Sequence, residues 1–332
     1  MSSMERVQRR LRGEPVDRAP NFDILMTFAA HFSRLPLRAY YLDHRALVTA
    51  NLAVHEAFGI DILQAISDPY REAHDLGAGI EFPPDGLPVC HRPPLADQVD
   101  LARLNRLGPS GGERMGDRLD AVRMMKARAA GDTPVMGWVE GALAEAADLR
   151  GVSQMLIDLA DQTDWLEDLL ERCVEVEIAF AREQVSAGAD IIGLGDALAS
   201  QVSPRMYRQF ALPYEQRIFE AVHAMGAVTR LHICGNTSRI LVDMAQSGAD
   251  IIDVDWMVDL AQAARVFNGQ AVCGNFDPVA VALRGTPGQV SEAVRQGLAQ
   301  GGSRYFSAAG CEIPDGTPHA NLLAQARVLS SG

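Results

Sequence analysis

Short apolar runs alternate with amphipathic stretches along the whole chain. The runs Asn21–Met26, Asp61–Ile66, Pro134–Val139, Asp190–Leu194, Val228–Ile233, Asp250–Val254, Ala271–Asn275 and Arg304–Ala308 are brief and mostly apolar. That length and composition predict strands buried on both faces of a parallel sheet. Between them apolar positions recur at helical spacing, most clearly over Leu42–Phe58, Asp164–Ala187, Pro204–Met225, Pro287–Gln300 and Pro318–Leu329. The opening segment, up to Pro20, reads as a short amphipathic helix leading into the fold.

The joints are punctuated. Ser203-Pro204, Asp277-Pro278, Thr286-Pro287 and Thr317-Pro318 each set a capping side chain before a proline suited to the first helical turn. Gly188-Ala-Asp-Ile-Ile192 recurs as Gly248-Ala-Asp-Ile-Ile252, with Gly59-Ile-Asp-Ile-Leu63 as a variant. In each, a left-handed glycine ends a helix and the chain enters a strand. Eight strands at this cadence predict an α/β fold, a TIM (β/α)8 barrel with an N-terminal extension, residues 1–332 forming one domain. The Gly- and Pro-rich stretch Phe82–Gly116, with its run HRPPLADQ, is an elaborated loop after strand 2. A doubly wound open sheet is the second choice, but no GxGxxG follows any of the strands.

Composition narrows the function classes. A net charge of −13 argues against a nucleic-acid partner, which needs a Lys/Arg surface. No run approaches the roughly 18 apolar residues of a membrane span, and the N-terminus lacks the apolar segment of a secretory signal. Five cysteines without a secretory context fit a cytoplasmic protein with free thiols rather than a disulfide framework. Cys90, Cys173 and Cys273 read as small buried hydrophobes.

A (β/α)8 barrel carries its chemistry at the carboxyl ends of its strands. There the sequence offers Asp23, Asp68, Glu140, Asp196, His232, Cys234, Asp255, Asn275 and Cys311. In Leu231-His232-Ile233-Cys234, positions i and i+2 of a strand share a face, so His232 and Cys234 project together. Cys311 ends the eighth strand, which closure of the barrel brings near. One imidazole and two thiolates suit zinc and leave a coordination position free. By itself an HxC pair with a cysteine 77 positions on is more often chance than a metal site; the inferred strand ends bring the two readings level.

At these residues the chain resembles the uroporphyrinogen decarboxylase superfamily over almost its whole length. Asp61-Ile-Leu with Ser67-Asp68-Pro69, Gly274-Asn275-Phe276-Asp277-Pro278 and Thr317-Pro318-His319-Ala320-Asn321 stand where that family has corresponding motifs. Within it the chain is similar to the corrinoid-dependent methyltransferases, whose methanogen members methylate coenzyme M. Their HxC pair and distant cysteine map onto His232, Cys234 and Cys311 as zinc ligands. Gly137-Trp-Val-Glu140-Gly-Ala-Leu resembles their strand-3 end, and the segment from Asp196 to Pro204 their strand-4 loop. The decarboxylases carry GHG where this chain has Gly310-Cys311-Glu312, and an arginine motif where Asn21–Phe32 has only His31 as a basic side chain.

The resemblance implies a zinc-dependent methyltransferase moving a methyl group between a methylated corrinoid and a thiol, or the reverse. No corrinoid-binding domain is recognisable in the sequence, so the methylcobamide would arrive as co-substrate on a partner corrinoid protein. Glu140 and Asp196 are candidates for proton acceptor or fourth ligand, and Asp68 for orienting substrate. Asp255, beside Trp256, and Asn275 are candidates for lining the cofactor side. Against these stand bland readings: strand-end carboxylates satisfied by loop amides, Trp256 as packing, Asn275 and Asp277 fixing a turn, His319 a surface residue. Two rival functions remain, a tetrapyrrole decarboxylase and a non-catalytic corrinoid- or zinc-binding barrel.

Overall fold

The computed structural model describes residues 1–331 apart from 98, 99, 107, 162 and 163, so the end of the HRPPLADQ run lies outside the described residues. Seven parallel strands form one curled sheet in the order β1-β4-β5-β6-β7-β8-β9. They are β1 (Leu63–Gln64), β4 (Val135–Glu140), β5 (Ile191–Gly195), β6 (Val228–His232), β7 (Ile251–Asp253), β8 (Ala271–Phe276) and β9 (Tyr305–Ala309). β2 (Gly79–Glu81) and β3 (Val89–Arg92) pair antiparallel as a separate hairpin after β1, which the alternating pattern did not signal. The apolar side chains of the seven-stranded sheet are buried, Val228 only partly, and helices such as Trp165–Ala187 and Pro287–Gln300 cover the sheet.

The first predicted strand, Asn21–Met26, is reduced to a bridge between Asn21 and Ser307. Phe22 N and Pro20 O pair with Ser307 at 2.9 Å, and Asn21 O accepts from Asp61 N at 2.9 Å. The segment thus spans from β9 to the stretch leading into β1. It goes no further as a ladder because side chains take over the backbone's hydrogen bonds: Asn21 Oδ1 accepts from Asp23 N, and Gln64 Nε2 donates to Asp23 O. Beneath it, the helix Ser3–Leu11 is fastened by Arg6, whose guanidinium reaches Asp61 at 2.7 Å, with Arg18 on the same carboxylate.

The punctuation acts as expected at most joints. Gly59, Gly188 and Gly248 have φ of 65°, 116° and 89°. Ser203, Asp277 and Thr286 cap their helices, Thr286 reciprocally with Gln289. Thr317 differs: its hydroxyl turns back to Pro314 O and the helix begins at His319. The predicted helix Pro204–Met225 is two, Pro204–Phe210 and Leu212–His223. Pro213 lacks the N–H needed to continue the first, so the chain restarts there.

Candidate metal centre

Parallel register places three residues of the site in one row. Glu140 of β4 pairs with Gly195 of β5, which pairs with His232 of β6. Gly195 supplies no side chain, and the Trp138 ring and the Glu140 carboxylate lie over it, 3.0 and 3.3 Å from where a Cβ would stand. One layer below, Trp138 pairs with Gly193 and Gly193 with Arg230. A Cβ on Gly193 would lie 2.3 Å from the Trp138 ring, so the absent side chain is what lets the indole lie across β5 toward His232, 6.1 Å between ring centres.

His232, Cys234 and Cys311 meet at this mouth. His232 Nε2 is 3.0 Å from Cys234 Sγ and 3.7 Å from Cys311 Sγ, and the sulfurs are 3.4 Å apart. A tetrahedral zinc bound to two sulfurs and one nitrogen has ligand–ligand edges of about 3.6–3.8 Å. Against that spacing the sulfur–sulfur and Cys311–His232 edges differ by about 0.1–0.4 Å and the His232–Cys234 edge by about 0.6 Å, and the three donors fit the metal. The Cys311 thiol is pushed down to about 4, chiefly by its hydrogen bond with Cys234 and further by His232, while the same sulfur–sulfur contact pushes Cys234 up.

The other imidazole nitrogen is engaged from below. His232 Nδ1 is 2.7 Å from Asp253 Oδ2, and the buried Arg230 forks onto the same carboxylate at 2.9 Å from both Nε and Nη2. These bonds hold the Asp253 carboxyl below its ordinary range against the effect of burial. A carboxylate on Nδ1 fixes the tautomer that presents a bare Nε2 to a metal. Sequence reasoning missed Arg230 and Asp253. Their signal was an arginine and an aspartate inside otherwise apolar strands, where opposite charges must find each other.

Loops brace the cluster. Asp255 accepts from Gly235 N and Trp256 N, both at 2.7 Å, which ties the Cys234 loop to the end of β7. Gly310, just before Cys311, packs so closely that a Cβ would sit 2.4 Å from Trp256 N and 2.5 Å from Asp255 Oδ1. Asn275 donates to Asp255 O and Val258 O. Asp255 and Asn275 are therefore engaged with backbone around the cluster, and the Trp256 side chain is largely exposed.

A cavity of about 160 Å³ opens beside the three donors. Ile24, Met26, Ile66, Pro69 and Trp138 give it an apolar wall, and Asp68, Glu140 and Glu312 bring carboxyl groups to it. Glu140 accepts from Arg71 at 2.7 Å, yet burial and the neighbouring Glu72 push its carboxyl up to about 7. Burial pushes Asp68 up too, but its 2.6 Å pairing with Arg114 prevails and holds it at about 2. Glu312 accepts from Thr27 N and Oγ1 at 2.8 Å. Asp196 is not part of the wall, although its neighbours Gly195 and Ala197 are. Its carboxyl packs against Gly141 and is pushed well up by burial and by Glu215.

Two other features compete poorly. Asp43, His44 and Asp117 also cluster at metal-binding spacing. Their atoms are committed: Asp43 caps a helix at Arg45 N, and Asp117 takes His44 and Arg118. A larger groove, about 700 Å³ along the outside of helix Trp165–Ala187, contains neither histidine nor cysteine.

Fold and site together define an α/β protein with a histidine and two cysteines at metal-binding spacing at the carboxyl ends of a parallel sheet. The family model for uroporphyrinogen decarboxylase (URO-D) matches residues 2–329, and the chain belongs to that family. It is 30% identical over 326 residues to a methylcobamide:CoM methyltransferase of Methanosarcina acetivorans, covering 96% of this chain and 94% of the relative. It is 31% identical over 297 residues to a uroporphyrinogen decarboxylase of Nocardia farcinica, covering 85% and 77%. Among solved structures, a methyltransferase from Methanosarcina mazei superposes with a TM-score of 0.88 at 25% identity, covering 100% of this chain and 99% of that one.

Proposed function

We propose that this chain is a zinc-dependent methyltransferase that moves a methyl group from a corrinoid carried by a partner protein to a small thiol. The observation that carries the reading is the mutual spacing of His232 Nε2, Cys234 Sγ and Cys311 Sγ beside a small cavity. The similarity to methylcobamide:CoM methyltransferase over nearly the full length supports it. The scaffold we infer is one (β/α)8 domain in which the segment around Asn21 serves as the first strand. Five free cysteines fit a reducing, cytoplasmic setting, and among the described residues no helix is long and apolar enough to cross a membrane.

His232, Cys234 and Cys311 would hold the zinc, and the bound metal would supply the electrophilic charge that keeps a substrate thiol deprotonated at neutral pH. In the transfer, the thiol sulfur bonds the methyl carbon and the carbon–cobalt bond breaks with its electron pair left on cobalt, which falls from III to I. The thiol proton has a receiver in Glu140, whose position across Gly195 and raised affinity suit a general base near neutrality. Asp68 and Asp196 would act behind it, Asp68 anchoring Arg114 at the wall and Asp196 as a buried carboxyl beyond Gly141. Asp255 and Asn275 keep the cluster's loops in place on the side that the corrinoid approaches. The reverse transfer uses the same arrangement.

Cavity size separates this reading from tetrapyrrole decarboxylation. About 160 Å³ is well below the roughly 300–1,000 Å³ of pockets for drug-sized ligands, and a macrocycle bearing carboxylates would meet carboxyl groups there. The test is anaerobic: metal analysis, then cobalt(I) absorbance from methylcobalamin and a thiol. Wild type should contain about one zinc per chain and turn over; chelator-treated protein and Cys311→Ala should not. Equal rates in all three would end the zinc-thiolate reading, and zinc content without turnover would favour a binding barrel.

A further inference from the structure

The charge distribution at the cavity wall bears on which thiol enters. Three carboxyl groups, those of Asp68, Glu140 and Glu312, reach the wall, and among the described residues no lysine or arginine does. The nearest guanidiniums lie behind the carboxylates. Arg114 holds Asp68 at 2.6 Å and Arg71 holds Glu140 at 2.7 Å, and both arginines are fully buried. The Arg114–Asp68 pair is therefore a dipole with its negative end toward the ligand. Arg71 is further committed to Glu72, 3.3 Å away. The Trp138 ring is the largest apolar group on the wall.

From this we infer that the acceptor is a small thiol whose far end is uncharged or cationic, an amine or a hydroxyl, and not an anionic group such as a sulfonate, carboxylate or phosphate. The inference rests on the thiol-methylation reading above and sharpens it. A sulfonate or carboxylate at this wall is desolvated against like charge with no lysine or arginine there to pair, whereas an ammonium gains the carboxylates. The volume restricts the remainder of the acceptor to a few heavy atoms beyond the sulfur. The substrate class thus departs from that of the relatives whose name specifies CoM.

Three thiols of one skeleton isolate the charge: 2-mercaptoethanesulfonate, 2-mercaptoethanol and 2-aminoethanethiol. Each is titrated into the full-length protein loaded with cobalt(II), where thiolate binding gives a charge-transfer band, and each is then assayed with the zinc form and methylcobalamin. Compared at equal thiolate concentration, the amine and the alcohol should bind at least about tenfold more tightly than the sulfonate and be methylated with correspondingly higher kcat/KM. Asp68→Asn, which leaves the Arg114 charge unopposed at the wall, should shift the ranking toward the sulfonate. A wild-type preference for the sulfonate, or no discrimination among the three, overturns the inference and leaves the methyltransferase reading standing. Failure of all three to bind or react overturns both. The wild-type ranking needs no variant, so a poorly folding Asp68→Asn does not remove the test.

Discussion

Replacing Asp253 by asparagine tests whether the residues under the metal cluster prepare it. Asp253 is the acceptor for His232 Nδ1 at 2.7 Å and for Arg230 at 2.9 Å. Asparagine keeps the shape but offers a single acceptor oxygen, so one of the two partners faces an amide NH2. If His232 loses its acceptor, the ring is free to rotate and to place its proton on Nε2, the atom the metal needs. Carboxylates in this position behind a histidine ligand are worth about 10–100-fold in metal affinity, or about 1.4–2.7 kcal/mol. The variant also strands the buried Arg230 charge, and breaking such a pair costs about 3–5 kcal/mol of fold stability, less here because one acceptor remains. The two effects are separable. Zinc competition against a chromophoric chelator reads the first, and thermal melting of the metal-free protein reads the second. The double variant Arg230→Met/Asp253→Asn should recover melting temperature without recovering zinc affinity. Unchanged zinc affinity in a well-folded Asp253→Asn would refute the argument that this carboxylate sets the ligand's tautomer.

Two further perturbations probe the packing and the protons. Gly310→Ala inserts a methyl group 2.4 Å from Trp256 N, which must push the Cys311 loop away at a cost of about 1–3 kcal/mol; zinc affinity should fall at least tenfold while circular dichroism stays native, and wild-type affinity would mean that this contact does not position Cys311. Glu215 is pushed up to about 7 by burial, so between its unfolded value near 4.5 and 7 the folded state binds the extra proton and stability declines as pH rises. Glu215→Gln should therefore flatten the fall in melting temperature between pH 5.5 and 8 relative to wild type, and an unchanged slope would show that another group carries it.

The strand-and-helix alternation was legible in the chain alone, because buried parallel strands are continuous apolar runs and helix ends demand particular residues. Gly188 and Gly248 supplied the left-handed turns, and Asp277 and Thr286 supplied caps, as local chemistry required. His232 and Cys234 were legible for the same reason: a two-residue spacing on a strand is a local property. Cys311 was legible only through its place at the end of the eighth strand, and it stands 3.4 Å from Cys234, sulfur to sulfur. Tertiary structure decided the rest. Asn21–Met26 lost its ladder to side chains of Asn21 and Gln64, a competition that hydropathy does not record. Asp196 and Glu140 both looked like rim carboxylates, yet register put Glu140 in the row with His232 and turned Asp196 against Gly141. Arg230 and Asp253 are 23 positions apart, and only the pairing of β6 with β7 makes them one charged unit under the histidine. A charge's role depends on what faces it across the sheet, and that is set by strand order and register, quantities that no single segment of the chain contains.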